Sequence, residues 1–365
     1  MKLLMTFLAL TLGLSVNAQY TFSHTADIEC SPVKNQSRTG TCWSFATASF
    51  IESELTRMGK GQHDLSEMFV VRNVYKDKAM NYLLRQGKAN FSQGSLSHDL
   101  IRMMKKNGVV PETTYSGLLE NEESHNHSEM EAALKGFMDG VLKSKNPSKK
   151  WRTAFDGILD AYIGSAPEKF MYNGKETNAV ALAKDLGIDA DEYVSLTSFS
   201  HHPFYEKFIL EIPDNYSNGF FYNVPLDVIM ESIDSAVDQG YSIAWDGDVS
   251  EKGFNASEGI AVLPFNESRE DLFSVPGKEI VVTQELRQEN FENFKTTDDH
   301  LMHIVGKAKD QKGTEYYIIK NSWGDISPYK GYLYMSKSYV AMKTISVMLH
   351  QDVLSPKLKQ MVSED

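Results

Sequence analysis

The ten residues Gln36–Phe45, QSRTGTCWSF, decide how the rest of this chain is interpreted. They place Cys42 directly before a tryptophan and six residues after Gln36, where a loop passes into a predicted helix. Because a helix N-terminus stabilises negative charge, a thiol at this point loses its proton more easily than a free cysteine does. The stretch leaves three interpretations of Cys42: a buried filler, half of a disulfide, or a nucleophile.

The composition is that of a soluble globular protein with a sizeable core. The chain has 365 residues, of which 41% are hydrophobic and 24% are charged. A formal net charge of -12 argues against nucleic acid as the main partner, because phosphate binding needs concentrated Lys and Arg. We find no apolar run long enough for a membrane span, no P-loop and no dinucleotide-binding glycine motif, and we therefore predict no cofactor.

The first eighteen residues predict export. Lys2 precedes an apolar run from 3 to 16, and Val16-Asn17-Ala18 is typical of a cleavage site before Gln19. The alternative is a buried N-terminal helix. Export to the periplasm or the medium permits disulfides, but Cys30 and Cys42 alone form no disulfide framework. Pairing them would occupy the only candidate thiol nucleophile.

The order of predicted elements indicates an α+β protein with two lobes. We predict a signal peptide over 1–18, a helical lobe over 19–117, a mainly helical insertion over 118–222, a strand-rich lobe over 223–345 and a tail over 346–365.

Local patterns place the individual elements. Helices are predicted from Cys42, after an N-cap at Ser66, and from Leu96 to a stop at Gly108. Strands are predicted over 241–245, 301–308, 316–320 and 331–335, and the segment 280–283 fits either a strand or a loop.

Two later segments supply the groups that a thiol nucleophile needs. His300 and His303 lie in DDHLMHIVG (298–306), and Asn321 lies in KNSWG (320–324). A histidine can accept the thiol proton, Asn321 can orient that histidine, and Gln36 can donate to an oxyanion together with the Cys42 N–H. Taken singly, such a cysteine usually packs in a core and such an asparagine usually sits in a turn; their combination favours the nucleophile.

These segments together resemble the papain-like cysteine peptidases. The family signature C-G-[SA]-C-[WY] reads Thr39-Gly40-Thr41-Cys42-Trp43 in this chain. Thr39 stands where the family has a disulfide cysteine, a departure found in the bleomycin hydrolase, or aminopeptidase C, branch. The stretches 223–227 (NVPLD) and 240–249 (GYSIAWDGDV) also resemble that branch. The resemblance implies a papain-like two-lobed fold with an inserted segment.

The resemblance also implies a role for each site residue. His300, six residues before Gly306, would be the base, whereas His303 would be a core or interlobe histidine unless a bulge shifts the register. Trp323 would shield the bond between His300 and Asn321 from water. The substrate wall would correspond to Gln93-Gly94-Ser95, with one of the family's two glycines replaced.

The branch removes single residues from peptides with a free N-terminus. Its C-terminal carboxylate, here Asp365, would bind the substrate ammonium from within the cleft, and its members are often hexamers. The other explanation of the tail is a frayed acidic terminus. Alternative functions are a papain-like endopeptidase, a non-catalytic binding protein on a degenerate peptidase scaffold, and transglutamination.

Other clusters of polar residues carry weaker signals, and we predict no metal. His125 and His127 lie near glutamates in a segment that we interpret as a solvated loop. The pair His201-His202 is no stronger, and we interpret Asp246-Gly247-Asp248 as a turn.

Overall fold

The second half of the chain builds one large mixed sheet, and helices from the first half pack on one of its faces. The protein is described by a computed structural model that covers residues 19–363. The helices within that range are α1 (Cys42–Arg57), α2 (Glu67–Leu84), α3 (Ser97–Asn107), α4 (Ser128–Leu142), α5 (Lys150–Ile163), α6 (Ala179–Leu186), α7 (Leu226–Asp238), α8 (Gln284–Glu292), α9 (Lys337–Lys343) and α10 (Pro356–Ser363).

The strands of the same range are β1 (Phe22–Asp27), β2 (Phe170–Tyr172), β3 (Lys175–Thr177), β4 (Tyr193–Thr197), β5 (Glu206–Ile209), β6 (Phe220–Asn223), β7 (Ile243–Gly247), β8 (Phe254–Asn255), β9 (Ile260–Ala261), β10 (His300–Asp310), β11 (Glu315–Lys320), β12 (Tyr332–Ser336) and β13 (Thr344–His350). The sheet order is β5-β6-β4-β13-β7-β10-β11-β12-β9-β8, with β1 paired to β10. β2 and β3 form a separate hairpin.

α1 is the central helix of the molecule. Every residue from Cys42 to Leu55 is buried, which is expected only for a helix surrounded by protein on all sides. Its neighbours are α2 and α3 on one side and β7 and β10 of the sheet on the other. Ser66 caps α2 by accepting the N–H of Phe69 at 3.0 Å, as predicted.

The two faces of the sheet bury different sets of helices, because successive side chains of a strand point to opposite sides. Ala244 and Leu301 belong to the core around α1. Their neighbours Trp245 and Met302 belong to a second core, which includes Leu358 of α10. α10 therefore lies on the face of the sheet away from α1.

The α+β prediction is confirmed, but several predicted boundaries fall inside elements. Residue 222 lies within β6, and β4 to β6 join the main sheet, so the second part of the predicted insertion is not helical. Residue 345 lies within β13, which is a central strand and not part of a tail. The helical lobe likewise begins with β1, which pairs with β10 across the molecule. Periodicity cannot reveal such long-range pairing.

Two local predictions are resolved or corrected. The ambiguous segment 280–283 is a loop that ends at Thr283, and Thr283 caps α8. The turn predicted around Asp246 is wrong, since β7 runs through Gly247. Asp246 pairs with Leu301 of β10, and this pairing holds it in the sheet. No helix within residues 19–363 is both long and apolar enough to cross a bilayer.

We expect Leu349→Ala to destabilise the fold strongly. Leu349 lies in β13 and is fully buried, so the truncation leaves a cavity that costs about 2–5 kcal/mol of unfolding free energy. Urea denaturation measures this loss. Val281→Ala is the control, because Val281 is 82% exposed and its truncation should change stability by less than about 0.5 kcal/mol. Equal stability of the two variants would show that β13 does not belong to the core.

Candidate active site

Cys42 lies at the junction of α1 and the sheet. It is the first residue of α1, so its N–H has no partner within the helix and remains free to donate. The thiol is buried, and the backbone of Leu301 in β10 acts on it to lower its pKa. Since Leu301 follows His300 directly, this interaction places the sulfur near the start of the strand that carries the predicted base. Cys42 and Cys30 are both free, which excludes a disulfide between them.

A hydrogen bond to Asn321 fixes the tautomer of His300. His300 Nε2 lies 2.8 Å from Asn321 Oδ1. The backbone N–H of Ser322 also donates to Oδ1, at 2.7 Å, so this atom is an acceptor and His300 Nε2 must be the donor. The neutral imidazole therefore keeps its lone pair on Nδ1, the nitrogen that remains for a proton from sulfur.

Trp323 covers the imidazole of His300. The two ring centroids are 4.5 Å apart and the ring planes meet at 32°. His300 is 3% exposed and Asn321 is also 3% exposed. Their hydrogen bond is thus protected from water, in the arrangement that the sequence predicts for Trp323.

Gln36 is tied to the loop that carries Asn321. Its backbone N–H donates to Ser322 O at 2.8 Å, and its side-chain Oε1 accepts the Ser322 hydroxyl at 2.6 Å. Gln36 Nε2 donates one hydrogen to Thr39 O at 2.7 Å, which leaves its second hydrogen available. Ser322, which the sequence analysis did not single out, therefore positions both Gln36 and Asn321.

Thr39 fills the place of the absent disulfide cysteine with hydrogen bonds. Its hydroxyl donates to Gln36 O at 2.8 Å and lies 2.5 Å from the Thr41 hydroxyl. These bonds close the loop before Cys42 without a covalent bridge.

Burial opposes charge on either member of the Cys42–His300 pair. It raises the pKa of the Cys42 thiol to about 12, and nearby carboxylates add to this, while the Leu301 backbone acts in the opposite direction. Burial likewise lowers the pKa of His300 to about 4, although the hydrogen bond to Asn321 acts to raise it. The sequence predicted a lowered thiol pKa from the helix N-terminus alone. Transfer of the proton from sulfur to imidazole creates both charges together, and their attraction offsets part of this cost.

His303 is an interlobe histidine in this structure. It is fully buried, and its Nδ1 lies 2.8 Å from the Ser49 hydroxyl of α1. The bulge in β10 falls between Ile304 and Gly306, beyond both histidines, so it does not exchange their positions. Among the described hydrogen bonds, Asn321 pairs with His300 and not with His303.

The predicted substrate wall lies beside the nucleophile, but its side chains are already engaged. Gln93 Oε1 accepts the Gly40 N–H at 2.8 Å, and its carbonyl accepts Trp43 Nε1 at 3.0 Å. Ser95 is 1% exposed and donates to Asp99 at 2.7 Å. Gln93 and Ser95 therefore shape the wall through contacts that their side chains already make.

A pair of buried carboxyl groups lies behind the start of β10. Asp246 and Asp298 interact with each other, and Ser346 donates to Asp246 at 3.1 Å. Burial is the main reason that the pKa of Asp246 rises to about 7 and that of Asp298 rises well above its usual range. Burial therefore favours the protonated form of both carboxyl groups. No motif in the sequence indicates this pair, because it depends on the register of β7 against β10.

The other predicted polar clusters lie away from Cys42 or are structural. The solvated loop predicted at His125 and His127 is wrong: both histidines are buried, and the segment pairs with Arg38. His201 and His202 both contact Glu211. Asp365 and the predicted signal peptide lie outside the described residues.

The fold and the site together define a papain-like thiol-peptidase scaffold. Residues 165–365 match the Peptidase C1-like family. Residues 19–164 match a second family model, described as Papain family cysteine protease. The first match spans more than half of the chain, so the chain belongs to the Peptidase C1-like family.

Individual relatives agree with this assignment. The chain is 23% identical to aminopeptidase G of Lactobacillus delbrueckii subsp. lactis, covering 91% of this chain and 83% of the relative. It is also 23% identical to aminopeptidase E of Lactobacillus helveticus, with coverage of 95% and 87%. The crystal structure of PepW from Lactobacillus rhamnosis superposes with a TM-score of 0.74 at 17% identity, covering 94% of this chain and 85% of that one. It shows the same fold.

We expect His300→Ala to move alkylation of Cys42 to high pH. Without an imidazole to accept the proton, the thiol stays protonated at neutral pH, because burial raises its pKa. The rate of reaction with iodoacetamide from pH 5 to 10 measures this, in a Cys30→Ser background that removes the second thiol. The control is the Cys30→Ser protein with His300 intact, in which Cys42 should react at neutral pH. Identical profiles would show that His300 does not serve Cys42.

Proposed function

We propose that the protein is a thiol-dependent aminopeptidase that acts through an acyl-enzyme on Cys42. The observation that carries the proposal is the fixed tautomer of His300, whose Nε2–H is committed to Asn321. A histidine held in this way can only exchange a proton through Nδ1. The aminopeptidase names of the relatives support the same activity.

The proposed reaction follows from the roles that the geometry permits. Cys42 Sγ attacks the scissile carbonyl while His300 takes its proton, and the carbonyl oxygen becomes negatively charged. The Cys42 N–H and the second hydrogen of Gln36 Nε2 donate to this oxygen. His300 then gives the proton to the leaving amine, and water releases the acyl group from sulfur. Each of these groups already stands in a buried site, so little solvent must be reorganised.

The first experiment tests the nucleophile. Cys42→Ala should lose at least about a thousandfold in kcat/KM on a fluorogenic peptide with a free N-terminus, because no other described group replaces the thiol. Cys30→Ser is the matched control and should keep its activity, since Cys30 lies outside the site, near the Tyr332 hydroxyl. Equal turnover by Cys42→Ala and wild type would contradict the mechanism.

The second experiment tests the exopeptidase character. The same peptide with an acetylated N-terminus should be a much poorer substrate of the wild type, and mass spectrometry should show release of single residues. Faster cleavage of the acetylated peptide would favour the endopeptidase alternative and leave the role of Cys42 intact.

Location and assembly are part of the proposal. The apolar run over 3–16 supports export, and N-terminal sequencing of the protein from the producing cell tests it. The resemblance to the bleomycin hydrolase branch supports a hexamer, which light scattering would detect.

A further inference from the structure

A short loop after β5 lies across one end of the substrate wall. It runs from Pro213 to Gly219 in the segment predicted as an insertion. Four side chains of α2, α3 and the chain between them bind it: Asn90 to Pro213 O at 3.0 Å, Asn81 to Tyr216 O at 3.1 Å, Arg102 to the Tyr216 hydroxyl at 2.8 Å, and His98 to the Ser217 hydroxyl at 3.1 Å. The loop is therefore held firmly against α2 and α3.

This loop holds the carboxylate of Asp214 directly against Gly94. A Cβ added to Gly94 would lie 1.8 Å from Asp214 Oδ2, and 2.5 Å from its carboxyl carbon. Any side chain at position 94 would displace the carboxylate. The Asp214 carboxylate therefore requires glycine at this position of the wall.

No cation of the described residues contacts the carboxyl group of Asp214, and burial raises its pKa above the usual range. Asn90 Nδ2, a neutral donor, donates to its Oδ1 at 3.1 Å. Lys78 acts on Asp214 only electrostatically, because its ammonium donates to the carbonyls of Ser92 and Gly94 instead. A half-buried carboxyl group without a cationic partner is suited to a cationic ligand, which would stabilise its charged form.

The position of Asp214 relative to the nucleophile decides which cation fits. Asp214 is one of three carboxyl groups that act electrostatically on the Cys42 thiol. The other two are Asp246 and Asp298, which lie behind the start of β10. Gln93, next to Gly94, contacts Gly40 and Trp43 on either side of Cys42, so the wall begins beside the sulfur. A substrate acylating Cys42 places its preceding backbone nitrogen towards this wall.

We propose that Asp214 binds the α-ammonium group of the substrate's first residue and that its loop blocks a chain continuing beyond it. The inference rests on the proposed function and deepens it, since it names the group that makes the enzyme an aminopeptidase. It also differs from the family resemblance, which assigns this role to the C-terminal carboxylate.

The test compares Asp214→Asn with wild type on one fluorogenic peptide, with its N-terminus free or acetylated. The substitution keeps the shape and removes the charge. We expect kcat/KM on the free peptide to fall about 10- to 100-fold, the loss expected for one charge-assisted hydrogen bond, mainly through a higher KM. Activity on the acetylated peptide should be unchanged or higher. Asp185→Asn, at an exposed position on α6, is the matched control.

A second variant guards against misfolding. Gly94→Ala displaces the Asp214 carboxylate without changing any charge, and it should lower the ratio of kcat/KM on the free peptide to kcat/KM on the acetylated peptide. Gly136→Ala, where an added Cβ meets nothing within 4 Å, should leave this ratio unchanged. Alkylation of Cys42 at the wild-type rate shows that the site is intact in each variant.

The outcomes separate the two proposals. An unchanged ratio of free to acetylated activity in Asp214→Asn, with Cys42 still essential, overturns the role of Asp214 alone. A second outcome would assign binding of the substrate ammonium to the C-terminal carboxylate instead. In that case, deletion of residues 363–365 abolishes the preference for the free over the acetylated peptide, while Asp214→Asn keeps it. Activity that survives Cys42→Ala overturns the proposed function itself.

Discussion

The packing of α1 against β10 is the contact on which the rest of the structure depends. It joins the first third of the chain to the last third, and it brings the sulfur of Cys42 to the Leu301 backbone beside His300. The helix is buried on all sides, so it cannot shift without disturbing both lobes. Ser49 and His303 make a second link between the same two elements, about two helical turns after Cys42. The site is therefore positioned by the core and not by flexible loops.

The electrostatics of the site follow from that burial. Water is excluded from Cys42, His300 and Asn321, which makes separate charges costly and strengthens each hydrogen bond that remains. The loop before Cys42 is closed by Thr39 and Ser322, two hydroxyl groups that replace a covalent bridge. Such a site depends on its folded surroundings for its chemistry, since burial raises the thiol pKa more than local groups lower it.

The sequence predicted what depends on local pattern and missed what depends on pairing. The cap at Ser66, the start of α1 at Cys42 and the Asn321–His300 arrangement follow from short motifs with defined chemistry. Other features require knowledge of which strands are neighbours. They are the joining of strands β4, β5 and β6 to the main sheet, the burial of His125 and His127, and the buried pair Asp246 and Asp298. Asp214 was missed for the same reason, because 120 positions of sequence separate it from Gly94.

The location of β13 has a consequence for how the protein is made. Among the described strands of the sheet it comes last in sequence, yet it stands between β4 and β7 near the middle of the sheet. Until it has left the ribosome, β4 and β7 each have an exposed edge and the core beneath them is open. Because synthesis runs from the N-terminus, the sheet that carries His300 cannot close until this last strand has been made.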